Sequence, residues 1–422
     1  MRIILALLLN AALLGGLLVW LRRQHQKPRI GGWVLPTLLL KLATTGLSVR
    51  FMSEDSYLFT MWARRMTVQF WQQPTAWLQM LGQEEFHFGS WHLIYHGFSN
   101  TLFMMKVLSM LNVVSGGVVW LNALYLSLFS FWGAWTLACT IGRLWPAARP
   151  GGVVIGFLLW PTVVYWTSGL TKESLLVGSG AALLAYVLQL YYPLLSGRQW
   201  QKVALVILLG WLHFKMRFFF AAVLLGVLAG LGLIRVLQRL TGTRRRVPQL
   251  LLMVGLLSAG AWAASEISPA FRLNKFTSQL QRNYTDLLAI SRNRPHLEYP
   301  TLAPTTESIL RNAPAAIFNA TTRPWPWEGT SLLYLIAGME NALLAVLLLL
   351  AAWAVVQRRS GKLPFGVMLA LLLYCLLLAI LLGLSTPNLG TLSRYRVAFL
   401  PFLLLLITQN EYFCGVVKRL RG

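Results

Sequence analysis

The chain has 422 residues, 57% of them apolar and only 12% charged, with 37 Lys and Arg against 12 Asp and Glu. That charged fraction, about half the roughly 25% of ordinary globular domains, excludes a soluble protein. The net charge of +25 reads as membrane topology rather than nucleic-acid binding, because the basic residues cluster in short loops between apolar stretches.

Apolar stretches of about 20 residues, each able to cross a 30 Å hydrocarbon core, recur along the chain. A backbone in lipid must satisfy its own hydrogen bonds, so these runs predict helices rather than barrel strands. The fold class is an all-α integral membrane protein, a polytopic bundle of about eleven spans forming one membrane domain over 1–422. In order the spans cover 3–21, 31–49, 118–141, 152–170, 174–195, 203–216, 218–238, 249–265, 331–356, 364–384 and 397–413. The first is too long for a signal peptide, and Arg22, Arg23, Lys27 and Arg29 follow it rather than precede it.

With the N-terminus outside, alternate short loops are cytoplasmic and collect the basic residues: Arg143 and Arg149, Arg198 and Lys202, Arg235 to Arg246, Arg358 to Lys362, and Lys418 to Arg421. This is the positive-inside pattern, and it places the C-terminus in the cytoplasm. Two long segments face outward. Residues 50–117 are rich in Trp, Phe, Tyr and His and predict short helices lying in the interface. Residues 266–330, with Pro295, Pro300, Pro304, Pro314, Pro324 and Pro326, predict a helical and irregular cap. Cys139, Cys375 and Cys414 lie in apolar segments and form no disulfide framework.

Among the scarce acids, Glu54-Asp55 stands just beyond the second span, with Tyr57 two residues later. Neighbouring carboxylates suit general-base work or a divalent ion, because their repulsion raises one pKa. They equally suit the dipole at the start of a helix near Ser56. Lys172, Lys215, Arg217, Arg394 and Arg396 fall in turns on the face where the positive-inside rule expects few cations. There they suit a phosphate or diphosphate, Arg through its forked donors and Lys as a point charge. Snorkelling or pairing with Glu173 and Glu54 is the structural alternative. His87, His92 and His96 follow Glu84-Glu85, the last two spaced as on one helix face. They are candidates for a polar substrate or a metal, without a metalloenzyme motif. Lys41 and Glu340 lie inside spans, where an ionisable side chain marks either a structural pair or a pathway. The tryptophans of Arg323-Pro324-Trp325-Pro326-Trp327-Glu328 suit an interfacial belt or sugar stacking.

These pieces resemble the polyprenyl-phosphate-sugar-dependent glycosyltransferases of the GT-C type. Glu54-Asp55-Ser56-Tyr57 is similar to their acidic motif in the first large outward loop. Arg394-Tyr395-Arg396-Val397-Ala398-Phe399-Leu400-Pro401 is similar to their C-terminal Arg-Tyr preceding a Pro-containing apolar helix. The motifs cover some fifteen residues, and the span 3–21 is additional to the family layout. Pro161 to Glu173 and Arg323 to Glu328 look like bacterial surface-polysaccharide membrane proteins. The resemblance implies cell-envelope polysaccharide biosynthesis: transfer of a sugar from a lipid phosphate to a glycan, lipid or protein acceptor. Asp55 would be the base and Glu54 its helper, sharing any Mg or Mn ion. Arg394, Tyr395 and Arg396 would contact the phosphate with Lys215, Arg217 and Lys172, while Tyr57, His92 and His96 would contact substrate. A polymerase or ligase using a polyprenyl-diphosphate glycan, and a non-enzymatic transporter or flippase, are the alternatives.

Overall fold

A computed structural model describes residues 2–95, 97, 99–148, 151–193, 198–242, 245–267 and 272–413. His96, Arg149, Arg244, Cys414 and the basic residues after it lie outside the described residues. The chain is helical, with a two-stranded hairpin as the sheet among the described residues. Among the described residues eight helices are long and apolar enough to cross a membrane: Ala6–His25, Gly31–Arg50, Val119–Leu144, Lys172–Tyr191, Phe218–Thr241, Arg246–Ile267, Tyr334–Val356 and Phe365–Ser385. Several present apolar side chains outward, among them Leu251 and Trp262 on one helix and Leu343 and Leu349 on another. Lipid accommodates such surfaces and water does not.

Three of the eleven expected spans differ, each for a local reason. Residues 152–170 are not one helix. Gly151–Val153 passes into a π-wound Val154–Leu159, Trp160 is extended, and Pro161 starts a new helix, Pro161–Trp166. Proline lacks an N–H and clashes with the turn before it, so the helix breaks there. The helix Gln199–Met216 forms, but Lys202, His213 and Lys215 keep it out of the apolar set. Residues 397–413 contribute to a broken pair, Leu389–Ala398 and Leu400–Ile407, bent by 64° with Pro401 at the start of the second piece.

The chain divides into two compact units. The first comprises Met1–Cys139, Val164–Tyr186 and Arg198–Ala221. Within it two span helices meet at glycines: a Cβ on Gly133 would stand 2.1 Å from the Gly178 carbonyl oxygen. Such closeness lets helix backbones pack directly. The outward segment 50–117 holds helices Glu54–Gln72, Pro74–Gly82 and Asn100–Ser115. Between the last two lies a hairpin, β1 Glu85–Phe88 and β2 Trp91–Ile94, so interfacial helices alone do not describe this segment. Gly89, at φ +58°, opens the two-residue turn that reverses the chain. Helix Glu54–Gln72 lies along Asn100–Ser115, where Asn112 donates to Thr67 (3.0 Å) and Trp77 donates to Ser109 (2.9 Å).

The second unit comprises Thr140–Val163, Val187–Gly197 and Ala222–Gly422. Its segment 266–330 contains helices Leu273–Ser291 and Thr306–Thr322 joined by irregular chain, as the prolines predict. Thr306–Thr322 packs on the span Phe365–Ser385 at Gly383, whose absent Cβ would lie 2.5 Å from the Ala316 carbonyl oxygen. The two interrupted helices also meet here. A Cβ on Gly156 would be 2.7 Å from the Pro401 carbonyl oxygen, and one on Gly152 the same distance from Thr408 Oγ1.

Candidate functional site

In the first unit the acidic pair opens helix Glu54–Gln72, and both carboxylates are exposed in its first turn. Ser53, not the acids, caps the helix: its hydroxyl accepts from the Ser56 amide (3.2 Å). The carboxylates add favourable charge near the positive end of the dipole. Neighbouring positions on a helix do not face each other. Among the described residues no group of three His, Cys, Asp or Glu could hold a metal. Asp55 has a neighbour that sequence reasoning missed: burial, and then the Asp55 charge, push the Tyr95 phenol above its ordinary pKa. Tyr57 is exposed.

One turn along the helix from Asp55, Phe59 carries the Lys172 ammonium at 5.0 Å from its ring centre. Lys172 also donates to Asn100 Oδ1 (2.8 Å) and Thr101 Oγ1 (2.7 Å). The Asn100 side-chain Nδ2 in turn donates to the Met216 carbonyl (3.0 Å), between Lys215 and Arg217. Asn100 thus ties Lys172 to the turn that carries the other two cations, at the N-terminus of helix Asn100–Ser115, whose amides also favour anions. Asn100 was not singled out from the sequence, where an uncharged amide gives no signal. Lys106 extends the group. Its ammonium donates to the Leu81 carbonyl (3.2 Å) and to the Gln83 carbonyl at the end of helix Pro74–Gly82. Burial first, and then Lys215, lower its pKa to about 8, opposed by Glu84. Arg217 lies 5.3 Å over the Phe220 ring.

His92 sits on β2 rather than on a helix, opposite His87 with ring centres 5.3 Å apart. The hairpin turn sets that register, so the helical spacing predicted for His92 does not hold. Lys41 is buried and donates to Thr167 O and Oγ1, both at 2.6 Å, within a set of Ser and Thr hydroxyls. These bonds tie the helix Gly31–Arg50 to the chain at Thr167.

Arg394, Tyr395 and Arg396 belong to the second unit. Arg394 and Tyr395 are half-buried, and Arg396 is fully buried at the break in the bent pair. Arg396 Nη1 donates to the Arg323 carbonyl (3.2 Å). Glu340, 8% exposed, accepts from the Thr162 amide (3.0 Å) and hydroxyl (2.5 Å). The Thr162 amide is available because Pro161 begins that helix, whose first amides lack intrahelical partners.

No family model, curated protein or solved structure matches this chain.

Proposed function

We propose that the protein is a membrane glycosyltransferase that moves a sugar from a polyprenyl-phosphate carrier to a hydroxyl of an extracytoplasmic glycan, lipid or protein. In this reading the N-terminus lies outside the inner membrane of a bacterium and the C-terminus inside. The observation that carries it is the gathering of Lys172 and the Lys215–Arg217 turn on Asn100, within the unit that also holds Asp55. The family resemblance of the acidic motif is its second support.

Asp55 takes the proton of the acceptor hydroxyl as that oxygen bonds to the anomeric carbon. The bond from that carbon to the phosphate oxygen breaks, and polyprenyl phosphate leaves with the added negative charge. Lys172, Lys215 and Arg217 stabilise that charge where it develops. A phosphate leaving group needs no acid, so a second catalytic carboxylate has no task. Glu54 orients Asp55, and Tyr95, whose phenol lies within the influence of the Asp55 charge, is a hydrogen-bonding partner for the acceptor.

Purified protein in nanodiscs, given a radiolabelled prenyl-phospho-sugar and a mixed glycan acceptor, tests the assignment. Asp55→Asn should lower transfer by about 10² to 10⁴, the usual contribution of a general base. Full transfer by Asp55→Asn would overturn it. A transporter or flippase is the second reading, favoured by the two interrupted helices of the second unit. It predicts substrate flux in proteoliposomes without a covalent product.

A further inference from the structure

The hairpin of the first unit pairs β1 with β2 so that His87 stands directly opposite His92, with Glu85 opposite Ile94 and Phe88 opposite Trp91. Side chains alternate between the two faces of a strand. One face carries Phe86, which is buried, and Phe88, Trp91 and Leu93, which are half-buried. The other carries Glu85, His87, His92 and Ile94, and all four are exposed. Two imidazoles therefore meet at the middle of an open face.

The packed face fixes that meeting. Gln69 Nε2, on helix Glu54–Gln72, donates to the His87 carbonyl (3.3 Å). Trp62 of the same helix meets the Phe86 ring edge-on at 6.2 Å. The Arg65 guanidinium lies 4.5 Å from the Trp62 ring centre and 5.4 Å from that of Trp91. Each strand is thus pinned to one helix by residues other than the histidines. The register, which a buried face specifies strongly, is set before the imidazoles have any partner. They are preorganised by their support.

Two facing imidazoles do little for a sheet by themselves, since they repel when both are protonated. When neutral they can share a metal ion. A Zn²⁺ held by two imidazole nitrogens at about 2.0–2.1 Å lies about 3.2 Å from each ring centre, so a tetrahedral angle sets the centres about 5.2 Å apart. The His87 and His92 ring centres are 5.3 Å apart, with the rings turned 78° to each other rather than stacked. Among the described residues no third His, Cys, Asp or Glu completes a group around an ion. The protein therefore fills two coordination positions and leaves the others to water or to an oxygen of an incoming molecule. Imidazole suits Zn²⁺, Ni²⁺ and Cu²⁺, whereas Mg²⁺ takes oxygen ligands. We propose that His87 and His92 form an open two-histidine site for a zinc-type divalent ion. The site depends neither on Asp55 nor on glycosyl transfer.

Calorimetric titration of Zn²⁺ into the untagged full chain in nanodiscs, with Mg²⁺ in parallel, tests it. Wild type should bind one Zn²⁺ per chain and no Mg²⁺ at the same concentrations. His87→Ala and His92→Ala should each weaken Zn²⁺ binding by about tenfold or more, at least the cost of losing a mere supporting partner. The double variant should bind little worse than either single one, because one imidazole alone no longer chelates. A protein carrying His25→Ala and His296→Ala, which removes two imidazoles away from the hairpin, should bind as wild type does. Zn²⁺ should raise the Tm of wild type and not that of the hairpin variants. Both substitutions are at exposed positions, and without metal the variants should unfold near the wild-type temperature. Either folded variant suffices to decide. Absence of stoichiometric Zn²⁺ binding by wild type, equal binding of Mg²⁺, undiminished binding in a folded hairpin variant, or an equal loss in the His25 and His296 protein would overturn the proposal.

Discussion

The Thr162 hydroxyl bond to Glu340 offers a sharp test of how the broken helix is held. At 2.5 Å between buried oxygens it is at the short end of hydroxyl–carboxylate bonds, which contribute about 1.5–3 kcal/mol to stability. Thr162→Val keeps the branched shape and removes only the hydroxyl. It should lower stability by about 2 kcal/mol, which for a unit of this size lowers Tm by about 4–8 °C. Thr162→Ser keeps the hydroxyl and loses a methyl, worth about 0.8 kcal/mol. A site held by the hydrogen bond thus ranks wild type above Ser above Val, whereas a site held by apolar packing ranks Val level with wild type and Ser lowest. Thermal unfolding in detergent, read by tryptophan fluorescence, gives the order. In a Glu340→Gln background the cost of Thr162→Val should shrink towards the roughly 1 kcal/mol of a neutral hydrogen bond. If Val unfolds at or above the temperature of Ser, the bond does not hold the break.

Two further outcomes follow from the first unit. Lys106, with its pKa lowered to about 8, binds less proton folded than unfolded between about pH 8 and 10.4, the ordinary lysine value. Stability should therefore rise with pH across that window and stay flat, for this group, below it. Lys106→Met should remove the rise, and an equal slope in both proteins counts against the assignment. Gly133→Ala would drive a methyl to 2.1 Å from the Gly178 carbonyl oxygen. It should lower Tm despite the better helix propensity of alanine, by overpacking worth about 1–3 kcal/mol. Gly15→Ala, with open space at the added methyl, should not, and equal effects at the two glycines would refute direct backbone packing.

How much of this was legible follows from what each residue must do. Eight spans could be read because lipid demands length and apolarity, and sequence displays both. The three misread stretches carry their corrections in Pro161, Pro401 and the cations of Gln199–Met216, signals outweighed by hydropathy. The hairpin at Glu85–Ile94 was missed because its alternation is only four residues per strand and its aromatic content resembles an interfacial helix. Lys172, Lys215 and Arg217 were visible as cations on the wrong face, but their joining through Asn100 depends on tertiary contact. Glu340 was conspicuous as a charge inside a span. Its partner Thr162 was not, because a threonine amide becomes available only once the helix breaks before it.

The unpaired atoms around Arg396 bear on why the helix is broken there at all. An unbroken helix would satisfy its own backbone and could place an arginine in the same sequence position at the cost of burying its charge. The bend instead lets the side chain reach a carbonyl of another segment, Arg323 O, while Nε and Nη2 stay unsatisfied. Replacing a buried ionic group by a well-packed apolar one is often neutral or stabilising, so stability alone gives no reason to keep the arrangement. Glu340 is held by the Thr162 amide and hydroxyl and by the Trp160 side chain. The helix break before Thr162 and the polar cluster thus belong together: Glu340 takes up the backbone amide that the break leaves open.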